Sequence, residues 1–421
     1  MRPSSAYSSQ KAMNKLMIAS SQIKNNIPMK KYLYLISTLV ILVTSSISCK
    51  TEVEGPSPTA PAATPNTQLS STATMDIYAK GTEGYSCFRI PAIVKTKQGT
   101  LLAFAEARKT NCADNGNIDL VVKRSTDEGA TWGPLITIWD DGSNTCGNPV
   151  PVVDQSTGNI HLVMSWNVGS ADIGAINNGT AVPRRAYATS STNDGLTWAT
   201  PSNISSTTMK PDWGWLSTGP GHGIQLTKGQ HAGRLVIPGC FITVNAVAAN
   251  RDESAFIMYS DDHGTTWKLG GIADPANYSP SETTVAELAD GKLLMNSRCT
   301  GKNYRISSVS TDGGATWSVM RAEYPLIDPV NQGSLLAHTL NAEYTLFFSN
   351  AASTSRTNMA ITTSKNNGEN WAKRFIVNSG QVAYSDLVIT SEKHIGIMYE
   401  TGIVNPYELI RFETFALDSF K

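Results

Sequence analysis

Five copies of one short pattern constrain this chain more than any other feature. "STDEGATW" begins at Ser125, "STNDGLTW" at Ser191, "SDDHGTTW" at Ser260 and "STDGGATW" at Ser310, with a looser copy, "SKNNGENW", at Ser364. The shared form is S-x-D-x-G-x-T-W, and its physics is that of a tight turn. The Asp or Asn side chain can accept from backbone amides a few residues on. The glycine takes a positive φ that a β-carbon would resist. The tryptophan restarts a strand and packs inward between neighbouring units. The intervals between copies hold short β-rich runs such as "RLVIPGCFITV" and "AFIMYS". About four strands fit each interval, which is one blade of a propeller. The composition agrees with an exported all-β protein: charged residues are only 16%, with 33 Gly, 9 Trp and 14 Tyr among 421 residues.

The ends of the chain need separate treatment. Lys30 and Lys31 precede an apolar stretch from Tyr32 to Val43 and small residues ending at Cys49. This reads as a secretory signal peptide. A cysteine in that place resembles a bacterial lipoprotein cleavage box, with Cys49 as the lipidated residue. The apolar run is short for a spanning helix. Residues 1–28 fit no targeting pattern, so Met29 is a candidate start. Residues 50–73 are rich in Pro, Thr, Ser and Ala and read as a linker. Three regions follow: an N-terminal extension and signal peptide over 1–49, a linker over 50–73 and a globular domain over 74–421. The protein is expected outside the cytoplasm, held to a membrane by lipid or secreted. Lys plus Arg equals Asp plus Glu at 34 each, which gives no global attraction to nucleic acid. Cys87, Cys112, Cys146, Cys240 and Cys299 remain, an odd number, and their pairing is open. No C-x-x-C spacing and only 6 His argue against a structural zinc site, and no cofactor is expected.

Outside the repeats, five segments carry charged or phenolic groups among apolar strand residues. They are "FRIP" with Arg89, "AEARKTNCADNGNID" with Arg108 and Asp114, and "SETTVAELADGKLLMNSR" with Glu282, Glu287 and Arg298. The others are "FFSNAASTSRTNMAI" with Arg356 and "QVAYSDLVITSEKHIGIMYE" with Tyr384 and Glu400. A guanidinium is rarely buried without an anion, so Arg89 between Phe88 and Ile90 is out of place in an ordinary strand. In this order the segments resemble the exo-sialidases from about Thr74 to Lys421. The five turns resemble that family's Asp boxes, which are structural there. Five boxes and one blade without a clear copy make a six-bladed β-propeller of four-stranded antiparallel blades.

The resemblance implies a role for each odd residue. Arg89, Arg298 and Arg356 match three arginines, one from each of three blades. Three converging guanidiniums need a strong anion, and a planar carboxylate suits their bidentate geometry. Tyr384 matches the nucleophile and Glu282 its general base. The attacked carbon already bears a carboxylate, so a neutral phenol escapes the repulsion an anion would meet, but it needs a base. Glu287 is expected to be structural. Asp114 matches the general acid/base, with Asp119 as its rival; a loop that keeps it partly dry would raise its pKa. Arg108 matches an arginine that contacts a ring hydroxyl, and Glu400 a glutamate that holds the first arginine. Trp213, Trp215 and His222 stand either on the rim facing the aglycone or in ordinary packing. Arg184 and Arg185 have no assignment. The expectation is an enzyme that hydrolyses terminal α-linked sialic acid from glycans with retention through a tyrosyl intermediate. Sialyl transfer, or sialic acid binding without turnover, would use the same clamp.

Overall fold

The computed structural model describes residues 66–244, 253–340 and 342–421. Contacts divide the chain into two units, Met1–Thr59 and Ala60–Lys421. The expected signal peptide, Cys49 and residues 50–65 of the expected linker lie outside the described residues.

The described residues are all-β, built from short antiparallel strands in chain order. Cys87–Lys95, Leu101–Arg108, Ile118–Ser125 and Ile136–Trp139 pair one after another. Thr145–Val153, Ile160–Asn167, Arg185–Ser191 and Ser202–Asn203 repeat the pattern. So do Trp213–Thr218, Leu235–Thr243, Glu253–Ser260 and Lys268–Ile272. Pro280–Glu287, Leu293–Cys299, Tyr304–Ser310 and Arg321–Ile327 form a separate four-stranded sheet. Ser334–Leu340, Glu343–Ala351 and Thr357–Ser364 then lead into Lys373–Ile389, a strand of 17 residues. The first part of that strand pairs back onto Thr357–Ser364 and its last part with His394–Gly402. Leu409–Ala416 follows, and Ala73–Ala79 from the other end of the chain closes the sheet beside it.

The apolar clusters straddle successive meanders. Val150, Val152 and Val163 pack with Leu235, Phe256 and Met258. Val236 and Ile257 pack with Val285 and Met295, and Ala286 and Leu294 with Leu346 and Phe348. The last meander meets the first, since Met398, Ile410 and Phe412 pack with Ile93, Leu101 and Val121. Burial of such side chains contributes about 1.5–3 kcal/mol each.

The repeated turn is what fits one sheet to the next. In the first copy Asp127 accepts from the Thr131 amide at 2.9 Å and from the Thr131 and Ser125 hydroxyls, while Ser125 Oγ accepts from the Gly129 amide at 2.9 Å. Asp262 and Asp312 repeat this, and Asn193 and Asn366 keep the amide bond. A β-carbon on the turn glycine would meet the preceding sheet. It would lie 2.2 Å from Phe412 at Gly129, 2.9 Å from Leu102 at Gly195 and 2.2 Å from His161 at Gly264. At Gly314 it would lie 2.2 Å from Ile257, and at Gly368 2.7 Å from Leu294. The tryptophans follow the same direction: Trp132 meets Phe412 edge-on, Trp198 meets Phe104 and Trp267 meets His161.

The globular part starts earlier than its composition implies. Residues 66–73, expected in the linker, belong to the fold. Asn66–Gln68 pairs in parallel with Arg374–Ile376, Leu69 is buried beside Phe347 and Phe375, and Thr72 bonds Thr414. Backbone pairing needs no apolar side chain, so a polar segment can dock without showing hydrophobic periodicity.

Candidate active site

The expected clamp and catalytic residues lie at one end of the strands. In the first meander Arg89 stands near the start of one strand and Arg108 at the end of the next, while Asp114 lies in the loop that follows. Glu282 and Arg298 repeat that placement on Pro280–Glu287 and Leu293–Cys299. Arg356 immediately precedes Thr357–Ser364, and Tyr384 and Glu400 stand on Lys373–Ile389 and His394–Gly402 where the register shifts between Val382 and Ser385. The repeated turns are at the other end: Leu101, not Arg108, is the register partner of Ser125. An eight-residue strand separates the two ends by about 25 Å.

Glu400 is the fixed point of the site. It is fully buried and accepts four donors: Arg89 Nε and Nη2 at 3.0 Å each, the Ile90 amide at 2.9 Å and the Tyr384 amide at 3.2 Å. Removing either member of such a pair would strand a buried charge, at about 3–5 kcal/mol. Ile90 has φ of 60°, where the strand register shifts between Arg89 and Ala92. A β-branched residue in this region is strained by about 1–3 kcal/mol. The amide bond to Glu400 holds it there, and Pro91 has no amide to place.

Three guanidiniums surround the phenol of Tyr384. Arg89 lies 5.1 Å and Arg356 5.5 Å from the ring centroid, and Arg298 Nη1 is 3.2 Å from the hydroxyl. The same Arg298 nitrogen donates to Glu282 at 2.8 Å, and the Tyr384 hydroxyl donates to the other Glu282 oxygen. Tyr384 is only 5% exposed. Burial and then the Glu282 charge raise its pKa far above the usual phenol value, against the three arginines. The phenol is therefore neutral at rest and already bonded to a carboxylate that can take its proton. Burial alone would lower the pKa of Arg298, but Glu282 and Tyr384 reverse that.

Asp114 is held differently from the expectation. Its side chain is 76% exposed and bridges Arg108 at 2.8 Å and Arg89 at 3.3 Å. The partly dry loop that would raise its pKa is not what is found. Burial pushes the carboxyl up, but Arg108 and then Arg89 outweigh it and hold it below the usual carboxylate range. The rivals lie elsewhere. Asp119 is buried against Tyr85 and Lys109, and Glu287 caps the Thr227 and Lys228 amides.

Glu106 and Tyr407 join the site without having been singled out. Glu106 is the register partner of Arg89 and binds Arg108 at 2.6 Å and 3.1 Å, and the Asn148 amide at 2.8 Å. Its spacing of two from Arg108 puts both on one face of a strand, a signal open to sequence reading. Tyr407 comes from a loop with no such pattern. Arg89 lies 4.1 Å from its ring centroid and Arg356 donates to its hydroxyl at 2.5 Å. Arg184 is buried behind Asn148, Asn167 and Ser217, with Trp215 stacked on it at 4.3 Å. Burial lowers its pKa to about 10. Trp213 and His222 are packing residues: Trp213 stacks on Phe241 at 3.9 Å, and buried His222 pairs with Asp386 at 2.7 Å. Cys87 and Cys112 form a disulfide, while Cys146, Cys240 and Cys299 are buried free thiols.

The strand ends of this all-β scaffold thus gather a neutral phenol, a carboxylate bonded to it and a cluster of guanidiniums. The BNR repeat-like domain family matches residues 99–397. A sialidase of Micromonospora viridifaciens is 33% identical over 344 residues, covering 78% of this chain and 52% of that protein. An exo-alpha-sialidase of Aspergillus fumigatus is 32% identical, covering 76% of this chain and 80% of that protein. The solved structure of a Hadza microbial sialidase superposes with a TM-score of 0.74 at 29% identity, covering 82% of this chain and 69% of that one. This chain belongs to the sialidase family of glycoside hydrolases. It spans about half the length of the Micromonospora relative and four-fifths of the Aspergillus one.

Proposed function

We propose that the protein is an exo-sialidase that hydrolyses terminal α-linked sialic acid from glycoproteins or glycolipids with retention of configuration. The observation that carries this reading is Tyr384, bonded to Glu282 and ringed by Arg89, Arg298 and Arg356. The arginines take the sugar carboxylate. Protonated Asp114 gives its proton to the leaving glycosidic oxygen. Tyr384 Oη bonds to the anomeric carbon while Glu282 takes the phenolic proton. In the second half Asp114 accepts a proton from water, whose oxygen displaces Tyr384, and Glu282 returns the proton to the phenol. Arg108 faces a ring hydroxyl. The scaffold in this reading is a six-bladed propeller of four-stranded blades. The successive meanders and the joining of Ala73–Ala79 to Leu409–Ala416 support it. The protein would work outside the cytoplasm, exported by residues 1–49 and tethered through lipidated Cys49 and the segment after it; the Lys30 to Cys49 pattern supports this.

Incubation with a sialylated lactose and identification of the product tests the reading. Free sialic acid, released first as the α-anomer, is the expected outcome. An anhydro sugar or a resialylated acceptor would replace hydrolysis by transfer, and binding without turnover would make the protein a lectin. Tyr384→Phe should lower kcat by roughly 10³-fold or more while keeping affinity for sialic acid, the size expected for losing a covalent nucleophile.

A further inference from the structure

The loop that carries Asp114 has few means of staying in place. Between Thr110 and Asn117 it reads "TNCADNGN", and no side chain in it is buried. A cavity of about 180 Å³ lies under it, lined by Arg108, Asn111, Ala113 and Asn115 among others. Its ends are fastened by the Lys109 amide to the Asn117 carbonyl at 3.1 Å, and by Gly116 and Asn115 to Thr145 and Gly169. The middle is fastened by the exposed ion pairs of Asp114 with Arg108 and Arg89 and by Cys112. Its sulfur is joined to Cys87, and its carbonyl accepts from Arg108 Nη1 at 2.5 Å. Cys87 stands two residues before Arg89 and is the register partner of Arg108. The covalent link therefore runs from the strand that bears Arg89, at a point paired with Arg108, to a residue two places from the carboxylate those guanidiniums hold.

We propose that the Cys87–Cys112 disulfide positions Asp114 over the leaving oxygen, and that opening it removes acid catalysis selectively. The inference rests on Asp114 being the acid of the proposed hydrolase. A loop without an apolar anchor has many conformations in reach once a cross-link is cut. The acid then spends little time at its station. The arginine clamp, Tyr384 and Glu282 stay where Glu400 and the strand pairing hold them. Acid assistance matters for a sugar alkoxide leaving group and hardly at all for a nitrophenolate, which leaves without a proton.

The test compares two substrates on the full protein before and after opening the bond. A water-soluble phosphine reduces the folded enzyme, and alkylation with peptide mapping verifies that Cys87 and Cys112 alone have opened. The expected result is a loss of at least about tenfold in kcat/KM on sialyllactose, rising toward the 10²–10⁴ of full general-acid catalysis as the loop leaves its place. kcat/KM on 4-nitrophenyl sialoside, which reports only the steps up to tyrosyl formation, should stay within about threefold, with the inhibition constant for free sialic acid unchanged and sialyllactose activity restored on reoxidation. A Cys87→Ser/Cys112→Ser variant should give the same split and should flatten the alkaline limb of the sialyllactose pH profile. Equal loss on both substrates, or no loss on either, overturns the proposal. An oxidised protein that cleaves neither substrate overturns the hydrolase reading and this proposal with it.

Discussion

Arg108 is a single side chain on which the protonation of the site depends. It binds Glu106 on one side and Asp114 on the other. Because it holds Asp114 below the usual carboxylate range, Asp114 is ionised in the empty site at neutral pH. An acid must be protonated to act, so kcat/KM should rise as pH falls from neutrality toward the Asp114 pKa. Arg108→Gln removes the largest of the charges that depress this pKa. The alkaline limb of the kcat/KM profile should then move to higher pH, although sugar binding weakens. A limb that stays in place would mean that another group supplies the proton. Most of this site was legible in the sequence, because charged residues inside apolar strands are conspicuous one at a time. Glu106 was legible in principle, two places from Arg108 on the same strand. Tyr407 was not, because it reaches Arg89 and Arg356 from a loop whose path no periodicity predicts. The sign of the Asp114 shift was also hidden. It depends on distances of about 3 Å to two guanidiniums rather than on the polarity of the loop.

Among the elements, the repeated turn is the most transparent, since the bonds its Ser and Asp or Asn positions share from copy to copy fall within eight residues. Its purpose is not local. Each turn glycine touches the preceding sheet, so the same eight residues set the spacing between sheets. Gly264→Ala tests this. A methyl group there would sit 2.2 Å from the His161 ring on a backbone with φ of 77°. Overpacking of this kind costs about 1–3 kcal/mol. Thermal unfolding should shift down by a few degrees, while kcat per folded molecule stays unchanged, because the turn lies at the strand ends away from Tyr384. Unchanged stability would mean that the sheets tolerate a looser fit. The apolar run around Arg89 predicts a strand, and nothing in it marks the irregular backbone at Ile90. The partner that stabilises that backbone, Glu400, is more than three hundred residues away.

Across the whole molecule, the two ends of the described chain are joined. Ala73–Ala79 completes the sheet begun by Leu409–Ala416, and Asn66–Gln68 adds to the Lys373–Ile389 strand. A protein beginning at residue 66 should fold and keep full turnover in solution, since every described residue of the site follows it. One beginning at residue 80 loses an entire strand and should unfold at markedly lower denaturant or fail to accumulate. Equal stability of the two truncations would show that the closing strand contributes little. The polar segment from 66 to 73 looked like linker because its attachment is made through the backbone and one buried leucine, Leu69.

Glu400 occupies Nε and Nη2 of Arg89, so Nη1 is the edge that faces Asp114. A carboxylate arriving at that edge does not have to break the buried pair; it replaces Asp114 as the outer counter-ion. The incoming anion thus cancels part of the positive charge that kept Asp114 ionised. Occupancy of the clamp and protonation of Asp114 become linked equilibria, each favouring the other. Binding of sialic acid should therefore draw protons from the buffer. Titration calorimetry near pH 6 in buffers of differing ionisation enthalpy should report that uptake, and Asp114→Asn should abolish it.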